Sequence, residues 1–307
     1  MELSLFKRFK SFAGMAIQPE GLHYVEISGA LGDLGCRFAF VEVSPPAVRQ
    51  DALADMNGLL PAMTTLSGEI GGFRVPVSLG VPSLDCLTRT IEFPPMELEE
   101  ARAAMGFEFE RHFPFPASEA IYDLAPVELP GREGRFVLFV AASRRSSVEA
   151  LMDVALKGGL NLSALEPANL AAFRAVCGPK SGKGSFMALI LGEETSQLVV
   201  AYKDNGVLFR TLLFGLKSSP VEELASALAR EITSTTTYVG GSFKGLRVEA
   251  LIMSGAGQDI ASAIQDRVEL PVALTTGVWD TWGIKPPEDY TRDGWEAAIG
   301  LAVRDLL

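Results

Sequence analysis

The sequence predicts an α/β protein made of two similar halves joined by a short polar stretch, with a small α+β unit set into the first half. Three observations predict it. "GMAIQPEGLHYVEI" (14–27) reads as strand, tight turn, strand, and "CRFAFVEV" (36–43) alternates as a third strand should. The second half repeats this plan: "FMALILGEETSQLVVAY" (186–202) is again strand, turn, strand, and "GVLFRTLLFG" supplies the third. Between them, residues 75–143 carry their own strands and helix, which belong to neither repeat.

Taken in order, "VRQDALADMNGLLPAM" predicts a helix with Leu53, Met56 and Leu60 at helical spacing. "RVPVSLGVP" and "CLTRTIEFP" are apolar runs that open the inserted unit as strands. "ELEEARAAMGFEFERHF" is a helix with Leu98, Ala101, Met105 and Phe109 on one face and acidic residues in its first turns, where the helix dipole favours them. "PFP" (114–116) stops it, and "AIYDLAPVEL" and "RFVLFVAAS" add two strands around the turn "PGREG".

"SSVEALMDVALKGG" has capping-box spacing from Ser146 to Glu149 and a glycine stop at Gly158, and "SALEPANLAAFRAV" predicts a second helix entered at Pro167. The glycine-rich "CGPKSGKGS" (177–185) is the linker between halves. In the second half, "SPVEELASALAREITSTTTYV" is a long helix with Pro220 at its start and Leu224, Leu228 and Ile232 on one face. "VEALIMSGAG" runs from a buried strand into a glycine turn, followed by the helix "QDIASAIQDRV", the short strand "PVAL" and the closing helix "GWEAAIGLAVRDLL".

Composition excludes several classes. With 307 residues, 48% hydrophobic and 21% charged, the chain is an ordinary packed globular protein. A net charge of -11 without a basic stripe argues against nucleic-acid binding. Three scattered cysteines and two histidines, His23 and His112, suggest neither a disulfide framework nor a metal centre and fit a reducing cytoplasm. No run reaches the roughly 18 apolar residues that span a bilayer. "MELSLFKRFKSF" (1–12) mixes aromatic and basic residues as an interfacial segment does, and fits membrane contact as well as a packed terminus.

"GPKSGKGS" imitates a phosphate-binding loop and fails it. Such a loop needs Gly, four residues, then Gly-Lys-Ser/Thr, whereas the residue five places after Gly178 is Lys183, and Gly184 follows where a metal-binding hydroxyl is required.

Two three-stranded units, each opening with a hairpin, resemble the architecture of actin, sugar kinases and heat-shock chaperones. The order and spacing of "SLFKRFKSFAGMAIQPEGLHYVEI", "VSLGVPSLDCLTRTIEFPPMELEEARAAMGFEFERHFPFP", "LILGEETSQLVV", "LIMSGAG" and "AAIGLAVRDL" resemble the PilM family of type IV pilus assembly proteins over nearly the whole chain. "HFPFP", similar to that family's aromatic-Pro-Phe-Pro signature, is the most specific piece. The resemblance implies an actin-like (ribonuclease H-like) duplicated two-domain fold with an inserted FtsA/PilM-type subdomain. The expected boundaries are 1–74 and 144–178 for the first actin-like domain, 75–143 for the insertion, and 185–307 for the second domain, its helical portion at about 218–245.

It also implies a cytoplasmic scaffold at the inner face of the inner membrane. Such proteins bind the N-terminal cytoplasmic peptide of a bitopic membrane partner, PilN, at the inserted subdomain. The expected contact residues here are Arg89, Thr90, Ile91, Glu92 and Phe93 on a strand exposed at an edge, with Phe113, Pro114, Phe115 and Pro116. Relatives in type II secretion share the fold.

Nucleotide chemistry is expected to be lost. Intact members carry Asp-x-Gly-Ser-Ser-x-x-Lys at the first hairpin, where this chain has Ala16, Gln18, Pro19, Glu20 and His23. The metal-side carboxylate is absent, and Pro19 has no N–H to donate. The second hairpin reads Ile190, Leu191, Gly192, Glu193, Glu194, Thr195 in place of Asp-x-Gly-x-x-Ser/Thr. Each like-charge contact between such a glutamate and a phosphate costs roughly 1 kcal/mol in water and about 4 at a surface-like dielectric. Ser254, Gly255, Ala256 and Gly257 keep the form of the adenosine-side turn, which is also what any strand-to-helix turn needs. The expectation is no catalysis, no metal and no cofactor, with Mg-ATP disfavoured. Two alternatives stand beside the scaffold: an active actin-like ATPase, and an FtsA-like self-associating membrane tether resting on residues 1–12.

Overall fold

The structure, a computed structural model, describes residues 11–30, 33–132, 134–179, 184–203, 205–275, 277–285 and 294–306. The chain forms two compact units. The first takes in Met1–Asp85, Glu149–Lys180 and Thr276–Leu307, the second 86–148 and 181–275.

In the first unit, β1 (Ser11–Ile17), β2 (Gly21–Ala30) and β3 (Asp33–Glu42) form an antiparallel meander. A small ribbon, β4 (Val48–Arg49) and β5 (Ala52–Leu53), precedes α1 (Leu59–Ile70) and β6 (Val77–Val81). The second unit begins with β7 (Cys86–Phe93), α2 (Leu98–His112), β8 (Ala120–Pro126) and β9 (Phe136–Arg144). The chain then passes through α3 (Arg145–Lys157) to β10 (Leu162–Pro167) and α4 (Ala168–Cys177). Next come β11 (Ser185–Leu191), β12 (Ser196–Tyr202), β13 (Asn205–Leu212), α5 (Val221–Ser242), β14 (Leu251–Ser254), α6 (Gln258–Gln265) and β15 (Val272–Leu274). The helices α7 (Val278–Trp282) and α8 (Glu296–Ala302) follow.

The duplication is explicit in the two large sheets. The first has the order β10-β6-β1-β2-β3 and the second β13-β12-β11-β14-β15. In each, three antiparallel strands from one meander are extended by two parallel strands beyond the first. Parallel strands buried on both faces read as continuous apolar runs, and Val77–Val81 and Ser185–Leu191 are buried throughout.

β6 therefore belongs to the first sheet: it pairs with β1 from Ala13 opposite Val77 to Met15 opposite Leu79, and β10 pairs on its other side. The insertion starts at Cys86 rather than at residue 75. Likewise the closing helix lies in the first unit and not at the end of a domain 185–307. Gly14 in β1 has no room for a side chain, because a Cβ would stand 2.1 Å from the Ala298 carbonyl oxygen. At Gly300 a Cβ would stand 1.8 Å from the carbonyl oxygen of Ala171 in α4. Backbone meets backbone at both places, which only glycine allows.

Two further expectations shift. Residues 48–53 form the β4–β5 ribbon because Gln50 and Asp51 take positive φ (49 and 60) in a tight turn, and the helix begins only after Gly58. "SALEP", expected as the start of a helix, supplies most of β10, and α4 starts beyond Pro167.

In the second unit, α2 packs on the sheet β7-β9-β8 through Ala101, Met105 and Phe109. The opposite side of that sheet meets β13: the Phe139 and Phe209 rings are 5.4 Å apart, and the Thr90 hydroxyl donates to the Val207 carbonyl. Leu224, Leu228 and Ile232 of α5 enter the core of the large sheet, as the helical spacing predicts.

Candidate functional site

The first hairpin turn is closed by its own unit. Gln18 and Gly21 exchange backbone hydrogen bonds (2.9 and 3.2 Å) across Pro19 and Glu20. The Gln18 side-chain amide donates to the Gly294 carbonyl. His23, expected at the position of a phosphate-facing lysine, is fully buried. Its ring sits edge-on to Trp295 at 4.7 Å and to Phe40 at 5.0 Å, and its Nε2 lies 3.7 Å from Glu20. The ring thus lies in an aromatic cage. Ala16, also buried, offers no group to a metal.

The second turn is fastened by backbone. Gly192 N–H donates to Thr195, and the Gly192 and Glu193 carbonyls accept from Leu216 and Lys217, both at 2.9 Å. Gly215 must be glycine, since a Cβ there would meet the Gly192 oxygen at 2.2 Å. Lys217 Nζ lies 2.6 Å from the Glu193 carboxylate, while Glu194 stays exposed. Lys217 thus sets a positive charge beside one of the two glutamates. Ile190 is buried in the sheet.

The "SGAG" turn packs on the same strand. Ser254 ends β14 and is buried; Gly255, at φ 75, brings its backbone within Cβ-clash distance (2.2 Å) of the Leu191 oxygen; Gly257 caps α6, with Ala256 between them. Its glycines answer a packing demand.

In the inserted subdomain, Phe113 and Phe115 are core residues rather than a contact surface. Phe113 stacks on Phe109 at 4.6 Å, Phe115 lies 5.8 Å from Phe109, and the Arg144 guanidinium covers Phe115 at 4.9 Å. Both phenylalanines are buried, as are Ile91 and Phe93. This corrects the expectation that these four meet a peptide: their side chains are committed to holding α2 on the sheet. Pro114 is exposed and Pro116 half-buried at the stop after α2.

β7 is an end strand of its sheet, and its remaining candidates differ. Thr90 is tied to Val207, Glu92 pairs with Arg132 at 2.5 Å, and Arg132 also donates to the Ser242 carbonyl. Arg89 is exposed, with one guanidinium N–H on the Thr88 carbonyl. Before it, within the first unit, two aspartates tie residues 83–85 to the β4–β5 ribbon: Asp51 accepts from Ser83 N–H (3.1 Å), and Asp85 accepts from Leu53 N–H (2.6 Å). Burial raises the Asp85 pKa, and the Leu53 bond partly offsets it.

Sequence reasoning missed Gly294, Trp295, Gly215, Lys217 and Arg132. Gly294-Trp295 before the closing helix carries no signal of its own, because its role depends on where that helix docks. Residues 180–183 of the glycine-rich stretch and residues 1–10 lie outside the described residues.

Two sheets of identical order, each opening with a hairpin, define the actin-like class. No known family profile matches the chain, and no curated protein does. Among solved structures, a chain of the "PilM-PilN type IV pilus biogenesis complex" superposes with a TM-score of 0.74 at 22% identity, covering 98% of this chain and 99% of that one. The cytoplasmic domain of EpsL, an inner membrane component of the type II secretion system of Vibrio cholerae, follows at TM-score 0.53 and 12% identity, covering 94% and 92%. The ethanolamine utilization protein EutJ from Carboxydothermus hydrogenoformans reaches 0.50 at 10%, covering 95% and 89%. The chain thus has the actin-like fold that these proteins share.

Proposed function

We propose that the protein is a non-catalytic scaffold of a type IV pilus or related type II secretion-like assembly. In this reading it binds the N-terminal cytoplasmic peptide of a PilN-like bitopic protein at the inner face of the inner membrane. The observation that carries the reading is the end-to-end likeness to a chain of the PilM-PilN complex, including the inserted subdomain. The closed first turn supports its non-catalytic side. Among the described residues, His23 is caged and the Gln18 side chain is spent on Gly294, so neither is offered to a triphosphate.

Arg89, Thr90, Glu92, Pro114 and Pro116 are the surface residues through which the subdomain would meet the peptide, with Ile91, Phe93, Phe113 and Phe115 supporting them from the core. Among the described residues no helix is long and apolar enough to cross a membrane, so attachment would come through the partner. Calorimetry with a synthetic peptide of a PilN-like N-terminus tests the reading. Arg89→Glu should weaken binding about tenfold, and unchanged binding removes the site. Millimolar Mg-ATP should give no heat; clear heat would favour the ATPase alternative. Vesicle flotation with and without residues 1–12 tests the tether alternative.

A further inference from the structure

Among the described residues, and leaving aside the two-stranded β4–β5 ribbon, the five edge strands other than β3 are each blunted. β10 has a register irregularity between Leu162 and Ala164 and ends in Pro167; β8 ends in Pro126; β15 has 3 residues. β13 pairs with β12 through a register shift, and β7 is tied to β13 by Thr90. Natural sheets protect their edges with such devices because an unprotected edge accepts another strand.

β3 carries exposed Asp33, Arg37 and Glu42 but none of the interruptions above. It runs 10 residues without proline or lysine, pairs with β2 without a register shift, and among the described residues pairs with no other strand. Each of its faces makes a contact. On one, Phe38 meets Trp279 at 4.9 Å and Trp295 at 5.4 Å; on the other, Arg37 donates to the Ile70 carbonyl at 2.7 Å. Among the described residues its outer edge is unpaired.

A second copy of the same strand is the occupant whose charges match. A two-fold axis perpendicular to the sheet keeps each face on its own side, so opposite residues must have the same parity. Centring the axis on Arg37 would set two like charges against each other. Centring it on Cys36 leaves the two Arg37 side chains diagonal to each other, whereas centring it on Gly35 places Asp33 directly opposite Arg37 and Leu34 opposite Cys36. Gly35 has no side chain between the two charged pairs, and Asp33, Gly35 and Arg37 are all exposed on one face. We propose that two copies of the chain associate by antiparallel pairing of β3 with β3 about Gly35, each Arg37 facing the Asp33 of the other copy.

Sedimentation equilibrium of the full chain tests this, with melting curves as a control for folding. The expected result is a reversible dimer of the 32.9 kDa chain at concentrations up to about 0.1 mM. Asp33→Arg and Arg37→Asp should each weaken it about tenfold, and the double exchange should restore it. Among the described residues the Asp33 side chain makes no hydrogen bond or ion pair, so Asp33→Arg remains decisive if loss of the Arg37–Ile70 bond lowers stability. A chain that stays monomeric overturns the proposal, as does a dimer indifferent to Asp33→Arg or one that the double exchange does not restore.

Discussion

The two hairpins stand at equivalent places in two sheets of identical order, yet their turns are closed by different physics. The β1–β2 turn is filled by aromatic packing and by Gln18 on Gly294. The β11–β12 turn is held by amides from residues 216 and 217, and its surface charge is trimmed by a single ion pair. A scaffold strand order can thus be kept while the groups at its turns are replaced independently. The first turn should be intolerant of change and the second tolerant.

Gly300→Ala tests the support beneath the first turn and carries the largest expected effect. Its methyl group would meet the Ala171 carbonyl, and overpacking against backbone should cost about 3 kcal/mol. For a chain of this size that lowers Tm by roughly 6–12 °C, and a melt within a degree of wild type would show that α8 can back away from α4.

His23→Lys addresses the turn itself. An ammonium group among Phe40 and Trp295, with only Glu20 near, should cost about 3 kcal/mol or slightly less. Urea unfolding measures it. A tolerated lysine that also brought Mg-ATP binding would break the comparison, since the cage would then be a phosphate site lacking one residue.

Glu166→Gln comes next. Glu166 is buried and takes both guanidinium nitrogens of Arg174, which also holds the Gly300 carbonyl, while Arg304 lies 3.6 Å away. Removing the charge leaves Arg174 partly unpaired at a cost of about 2 kcal/mol, read by the same unfolding curves.

Lys217→Ala, at the second turn, should change stability by less than about 1 kcal/mol because both partners are largely exposed. A larger loss would mean that the second turn depends on its ion pair as the first depends on packing.

Much of this was legible in the sequence where local pattern and fold agree. The hairpins, the α2 face of Ala101, Met105 and Phe109, and the Pro220 start of α5 follow from periodicity and stop signals alone. What escaped depends on distant partners. β6 reads as a strand in either sheet, and only its pairing with β1 and β10 assigns it. The β4–β5 ribbon hides in a helical spacing because two non-glycine residues accept positive φ. Phe113 and Phe115 look like a recognition motif in sequence and are buried in space, whereas Trp295 looks like nothing in sequence and caps the first turn.

The glycines that seat α8 against β1 and α4 also set a schedule for the newborn chain. Residues 86–148 and 181–275 are all present once residue 275 has been made, whereas the sheet that began with residue 11 still lacks the helix that covers Gly14. The half translated first is therefore the half completed last, and the face of β1 at Gly14 waits for the end of synthesis to be covered.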